Sequence, residues 1–168
     1  MEFLNITAPF PLENGASLAE LKIAYTTYGR LSPEQDNVVW ICHALTANSE
    51  AEEWWPGLAG KGKLLDPEHY FIVCANILGS CYGSTYPRSA DPATGQPYGR
   101  DFPLITIRDM VRAHQLLQAH LGVERIRLAI GGSMGGQQVL EWAVMDSGLF
   151  ENICILASNA RHSPWGIA

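Results

Sequence analysis

Residues 126–136 read Ile126-Arg127-Leu128-Ala129-Ile130-Gly131-Gly132-Ser133-Met134-Gly135-Gly136. A short apolar run of strand type leads straight into G-x-S-x-G, Gly131 to Gly135, and helical patterning follows from Gly135 to Met145. This is the signature of a nucleophile elbow, in which a strand hands the chain to a sharp turn and a helix carries it away. The serine is left at the strand's carboxyl end with its Oγ exposed. Its neighbours must be small because the strand and helix backbones approach closely there. Two other glycine-rich turns fit less well. A dinucleotide-binding turn needs G-x-G-x-x-G, and Ser133 occupies the place of the second glycine. A Walker-type phosphate loop ends in Gly-Lys-Ser/Thr, where this chain has Gly135-Gly136-Gln137-Gln138.

Outward from the elbow, apolar runs recur at Val38–Cys42, Tyr70–Ala75, Ile126–Ile130 and Ile153–Ala157. Such runs suit parallel strands buried on both faces. Earlier, Leu21, Ile23 and Tyr25 alternate with Lys22, Ala24 and Thr26, the pattern of a half-buried strand. Asn14-Gly15 before it is a turn signal and predicts a hairpin with the Phe3–Phe10 region. Thr106-Ile107-Arg108-Asp109 has the form of a capping box. Ile107, Val111, Leu117 and Leu121 then keep helical spacing to a stop at Gly122. The helix behind the elbow is expected to turn Val139, Leu140, Ala143 and Val144 inward and to end at Ser147-Gly148. Strands alternating with helices predict an α/β fold with a parallel sheet, whose carboxyl edge is the expected ligand site. The Gly- and Pro-rich stretch from Gly79 to Pro103 reads as a long functional loop. No repeat or linker divides the chain, so residues 1–168 read as one domain.

Composition sets limits. A hydrophobic fraction of 47% and a charged fraction of 17% describe a folded globular chain. A formal net charge of -6 with no basic cluster argues against nucleic acid as a partner. No C-x-x-C pair and no H-E-x-x-H occurs, so no metal site is expected. Cys42, Cys74 and Cys154 lie in apolar runs, where a free thiol behaves as a small hydrophobe. The first residues lack a signal-peptide pattern, and no apolar run reaches membrane-spanning length. The expectation is a reduced, cytoplasmic protein with no membrane contact.

A serine hydroxyl needs a base and an oxyanion site to act as a nucleophile. Ser133 is the candidate nucleophile. The backbone N–H of Met134, at the start of the helix, is one oxyanion donor. The other should follow an early core strand. Val38–Cys42 is such a strand and His43-Ala44-Leu45-Thr46 follows it, which makes the Leu45 N–H the candidate. The base is harder to find. In elbow enzymes of this type the order is Ser, acid, His. After Ser133 the only histidine is His162 and the only aspartate is Asp146. Asp146 falls near the end of the elbow helix, and His162 comes too soon after the last apolar run. His114 reads as a core or boundary residue, His69 and His120 as surface residues, and His43 as a structural hydrogen-bonding group. On this reading, either the chain lacks its carboxyl-terminal portion or it is not an active serine enzyme. The ending Arg161-His162-Ser163-Pro164-Trp165-Gly166-Ile167-Ala168, without a final helix or strand, favours the first.

The segments His43–Thr46, Trp54-Trp55, Asn76–Thr85, Phe102-Pro103, Thr106–Val111, Gly131–Gly136 and Glu141–Ala143 together resemble homoserine O-acetyltransferases of the α/β-hydrolase superfamily. The resemblance implies a mostly parallel sheet with flanking helices, of which this chain would be an incomplete amino-terminal part without the carboxyl-terminal part and lid. It implies a ping-pong transfer in methionine biosynthesis, from acetyl-CoA as co-substrate through acetylated Ser133 to L-homoserine. No bound cofactor or metal is implied. Leu45 and Met134 match the oxyanion donors, the family's Asp and His would lie beyond residue 168, and the whole enzyme would be a homodimer. Gln137 stands where the family commonly has Met, Tyr86 where it has Gly, and Ala47–Glu50 differs from the usual loop. These positions are expected near the site, and they leave succinyl-CoA as donor, serine as acceptor, or a serine esterase as alternatives. A non-enzymatic binding module is a third.

Overall fold

The computed structural model describes residues 1–167. In chain order the strands are β1 (Glu2–Ile6), β2 (Phe10–Pro11), β3 (Ser17–Leu18), β4 (Leu21–Tyr28), β5 (Val38–Cys42), β6 (Phe71–Ala75), β7 (Leu128–Gly132) and β8 (Ile153–Leu156). The helices are α1 (Ala51–Trp54), α2 (Ile107–His120), α3 (Met134–Met145) and α4 (Pro164–Ile167). Six strands form one sheet in the order β1-β4-β6-β5-β7-β8. β1 and β4 run antiparallel to their neighbours, while β6, β5, β7 and β8 pair in parallel. The sheet is thus mostly parallel, as the apolar runs predict. β5 feeds β6 on one side, and α2 then returns the chain to β7 on the other. The carboxyl ends of β5 and β7 therefore flank a topological switch point, where α/β sheets open a crevice for ligands.

Strand periodicity explains the two-sided core. Along β5, Val38, Trp40 and Cys42 enter one cluster with Val111, Leu117, Val139 and Trp142 of the helices. Val39 and Ile41 enter a second cluster with Ala51, Leu65, Ile72 and Ile130 on the opposite face. All five residues of β5 and all five of β6 are buried, because helices or loops cover both sides. β8 departs from the expected double burial: Ile153 and Leu156 are exposed, since nothing among the described residues pairs with its outer edge. The Asn14-Gly15 turn also acts more locally than expected. It closes the two-residue pair β2–β3, whereas β1 pairs with β4 outside it.

α2 starts at the predicted capping box. Asp109 N–H donates to Thr106 Oγ1 at 3.2 Å, and Thr106 N–H donates to Asp109 Oδ2 at 3.0 Å. The other Asp109 oxygen accepts from Glu13 N–H at 2.8 Å and ties the helix to the β2–β3 hairpin. The inward face of α3 differs from the expected one. Val139 is buried, but Val144 is 79% exposed, and Trp142 and Gln138 are fully buried in its place. Gly135 and Gly136 are also inward, so the buried stripe is rotated toward the residues that follow the elbow. The Gly79–Pro103 stretch is partly ordered by β4: Ala24 N–H donates to Ser84 Oγ, and Lys22 N–H to Thr85 Oγ1.

His114 sits in the core between these layers. Its ring stacks on Trp142 at 5.5 Å and meets Trp40 edge-on. Burial pushes its imidazole from the ordinary 6.5 down to about 4; the bond to Gln138 opposes that shift and the nearby His43 adds to it. Between pH 6.5 and about 4 the unfolded chain takes up a proton that the folded chain refuses. Stability is therefore full above that window, falls as pH drops through it, and levels off below it. The loss is about 3 kcal/mol. Urea unfolding midpoints of the chain are expected to fall across this window, and less steeply in His114→Gln; equal slopes would refute the assignment.

Candidate active site

Ser133 is the N-cap of α3, yet it does not behave as an ordinary cap. Its backbone is held at φ 53° and ψ −121°, and its side chain makes no capping hydrogen bond. A serine cap normally spends its hydroxyl on the helix's free N–H groups. Here the carbonyl takes over that work: Ser133 C=O accepts from Gly136 N–H at 3.0 Å and Gln137 N–H at 3.2 Å. Ser158 Oγ donates to the same oxygen at 2.7 Å, and Ser133 N–H donates to Leu156 C=O at 3.0 Å. A left-handed backbone at a non-glycine residue costs on the order of 1–3 kcal/mol, and these four bonds hold it. The result is an exposed hydroxyl at the carboxyl end of β7.

Two glycines make the turn sterically feasible. A Cβ on Gly131 would collide with the Gly135 carbonyl group. A Cβ on Gly135 would collide with the Cys42 carbonyl oxygen and lie 2.8 Å from that of His43. The second contact carries functional weight, because it packs the first turn of α3 against the end of β5. The chain leaves β5 through His43 into a turn closed by Ala47 N–H to Ala44 C=O at 3.0 Å, with Leu45 at its corner. Among the described residues, neither Leu45 N–H nor Met134 N–H is spent on a protein acceptor. Two uncommitted donors from different elements thus flank the serine's end of the sheet. The amino-terminal end of α3 also favours developing negative charge there.

The turn that carries Leu45 is braced from below. His43 is fully buried; its Nδ1–H donates to Ala44 C=O at 2.8 Å and its Nε2 accepts from Ile77 N–H at 3.3 Å. Burial lowers its pKa, opposed by the Ala44 bond, so it stays neutral with both ring nitrogens occupied. This is the structural role expected of it. Ser49 N–H donates to Asn76 Oδ1 at 2.7 Å, Thr26 Oγ1 donates to Glu50 Oε1 at 2.8 Å, and Trp54 Nε1–H donates to Asn48 C=O at 2.8 Å. The divergent stretch Ala47–Glu50 is therefore held by Asn76 at the end of β6 and by Thr26 of β4.

The remaining candidates sort by position. His162 Nε2 accepts from Gln137 Nε2–H at 2.9 Å in a groove of about 310 Å³ along α3 that Leu140 and Val144 also line. It does not engage Ser133. Asp146 caps the far end of α3 and is exposed. His69 and His120 are exposed, and His114 is buried as expected. Among the described residues no histidine or carboxylate hydrogen-bonds to Ser133 Oγ. Tyr86, with Lys22, Arg88 and Tyr98, lines a cavity of about 400 Å³ beside β1 and β4. Two contributors were not legible as site residues. Ser158 just past β8 and Gln138 in α3 are polar residues whose partners come from other elements; a polar residue next to the carboxyl edge was the only signal. Among the described residues no group of His, Cys, Asp and Glu could hold a metal ion. No helix among them is long and apolar enough to cross a membrane.

A family model described as the alpha/beta hydrolase fold matches residues 37–168. The chain belongs to the α/β-hydrolase fold family. This α/β-hydrolase chain is 50% identical over 165 residues to a homoserine O-acetyltransferase of Chlorobium chlorochromatii, covering 98% of this chain and 46% of that protein. Among solved structures it is similar to a homoserine O-acetyltransferase from Bacillus anthracis, with TM-score 0.89 and 32% identity over 97% of this chain and 48% of that one. It is also similar to the acetyl esterase MekB, with TM-score 0.85 and 32% identity over 98% of this chain and 46% of that one. The chain thus spans about half the length of the curated relatives it matches.

Proposed function

We propose that this α/β-hydrolase chain carries the nucleophile of an acyltransferase that moves an acetyl group from acetyl-CoA to the hydroxyl of L-homoserine. The observation that carries the reading is Ser133: an N-cap serine in a strained turn whose Oγ is withheld from capping and exposed. The likeness to homoserine O-acetyltransferases over nearly the whole chain supports the choice of substrates.

In the first half-reaction Ser133 Oγ attacks the thioester carbonyl and gives its proton to a general base. The oxyanion is held by the N–H groups of Leu45 and Met134, and each such donor is worth on the order of 10²–10³ in rate. Collapse breaks the carbon–sulfur bond, and the proton leaves with the thiol of CoA. In the second half the hydroxyl of L-homoserine loses its proton to the same base and attacks the acetyl carbon. The bond to Ser133 Oγ breaks, the proton returns to the serine, and O-acetylhomoserine departs. We assign the base to a histidine oriented by an aspartate, both contributed from outside this chain. The same reading makes the whole protein a cytoplasmic homodimer in methionine biosynthesis.

Water competes with homoserine for the acyl-serine, so the reaction needs a covered site and a positioned acceptor. The likeness to an acetyl esterase favours a second reading, with water as the acceptor. Product partitioning in the full-length protein separates the two. With acetyl-CoA and L-homoserine together, O-acetylhomoserine is expected to exceed free acetate by ~10-fold or more, since a positioned hydroxyl has a high effective molarity. Acetate release at one rate with and without homoserine would establish the esterase instead.

A further inference from the structure

We infer that Trp40, His114 and Gln138 form a positioning relay that sets the spacing between the two oxyanion donors. The inference rests on the reading of Ser133 as nucleophile. Trp40 Nε1–H donates to His114 Nδ1 at 3.3 Å, and His114 Nε2–H donates to Gln138 Oε1 at 2.9 Å. Gln138 Nε2–H then donates to the carbonyl of Met134 at 3.3 Å. Trp40 and Gln138 are 0% exposed and His114 3%. None of the three takes part in the chemistry above.

The relay joins the two elements that carry the donors. Trp40 lies in β5, two residues before the strand delivers the chain to the Leu45 turn. Met134 is the first residue of α3 and supplies the other N–H. Its carbonyl, held by Gln138, fixes the rotation of that first turn. Each member has one compatible role. His114 must accept on Nδ1 and donate on Nε2, and the Gln138 amide can face it only with its oxygen. Buried polar groups are costly unless paired, and apolar side chains would fill the same space without that demand. What the pairing adds is direction, and a shift of about 1 Å in a catalytic group costs on the order of 10²-fold in rate. The absence of a side chain on Gly135 lets the first turn of α3 pack closely on the end of β5, and the relay then fixes the spacing and rotation of the two elements.

The test uses the full-length protein, with active sites titrated by the burst of p-nitrophenyl acetate and turnover measured with acetyl-CoA. Gln138→Met and His114→Leu are expected to lower kcat per titrated site by ~10–100-fold, with KM for acetyl-CoA within about twofold. His114→Gln is expected to recover to within about threefold of wild type, because an amide can offer its oxygen to Trp40 and its N–H to Gln138. That recovery separates positioning from mere packing. Wild-type kcat per site in His114→Leu or Gln138→Met, or a defect in His114→Gln equal to that of His114→Leu, would overturn the relay. Should both disruptive variants fail to fold, replacing Trp40 by benzothienylalanine decides: it keeps the bicyclic ring and deletes the N–H, so a lowered kcat supports the relay and an unchanged one sinks it. If the wild type forms no acetyl adduct on Ser133, the proposed function itself fails. An adduct on wild-type Ser133 together with wild-type kcat per site in all variants removes only the relay.

Discussion

Ser133→Ala in the full-length protein is expected to abolish the acetyl adduct that the wild type forms on mixing with acetyl-CoA. The accompanying fall in kcat should be on the order of 10⁴–10⁶, the range seen when a serine nucleophile is deleted from an otherwise intact site. Ser158 Oγ, which lies against the same turn, is committed to the Ser133 carbonyl and would have to abandon it to act as nucleophile. The backbone of the elbow does not depend on the Ser133 side chain, because its N–H and C=O make the bonds that hold the turn. The variant should therefore fold like the wild type, and its unfolding midpoint should match. Mass spectrometry of a peptide spanning residues 128–145 reads the adduct directly. An adduct that persists on that peptide in the alanine variant would remove Ser133 from the mechanism.

Gly135→Val is expected to damage the scaffold severely. Its Cβ meets backbone, the carbonyl of Cys42, and no side-chain rotation relieves that clash. Either α3 moves away from β5 or the end of β5 bends. Overpacking costs of about 1–3 kcal/mol are usual, and this case should reach at least the upper end because both partners are main chain. The same displacement would carry the Met134 N–H away from the serine, so activity should be lost even in the molecules that remain folded. Gly132→Ala is the internal control. A Cβ there would meet only the Leu156 carbonyl oxygen, at 3.9 Å, an ordinary contact. Urea unfolding of both variants tests the pair: a wild-type midpoint for the valine variant would show that the elbow and β5 are not in the tight contact described.

How far these sites were legible in the linear sequence depends on whether the signal is local. The elbow, the capping box at Thr106 and the buried runs of β5 and β6 are each set by residues within a few positions of one another, and each stands where the pattern predicts. The inner face of α3 does not follow hydrophobicity. Val144 is apolar but faces outward, while Gln138 is polar and fully buried, since its partners lie on α2 and in the first turn of its own helix. The same limit applied to His114. Its place on an apolar face was readable, but its polar partners Trp40, Cys42 and Gln138 come from residues 74, 72 and 24 positions away.

The primary structure alone specified an α/β chain with a strained serine turn, because periodicity, caps and a glycine pattern act through the near-neighbour backbone. Only the folded state determined what that serine is surrounded by. Strand order brought the Leu45 turn beside Met134, close packing of Gly135 on Cys42 made the approach tight, and Ser158 arrived from the next strand to hold the Ser133 carbonyl. Those relations are contacts across the sheet, and they exist only once distant segments share one core.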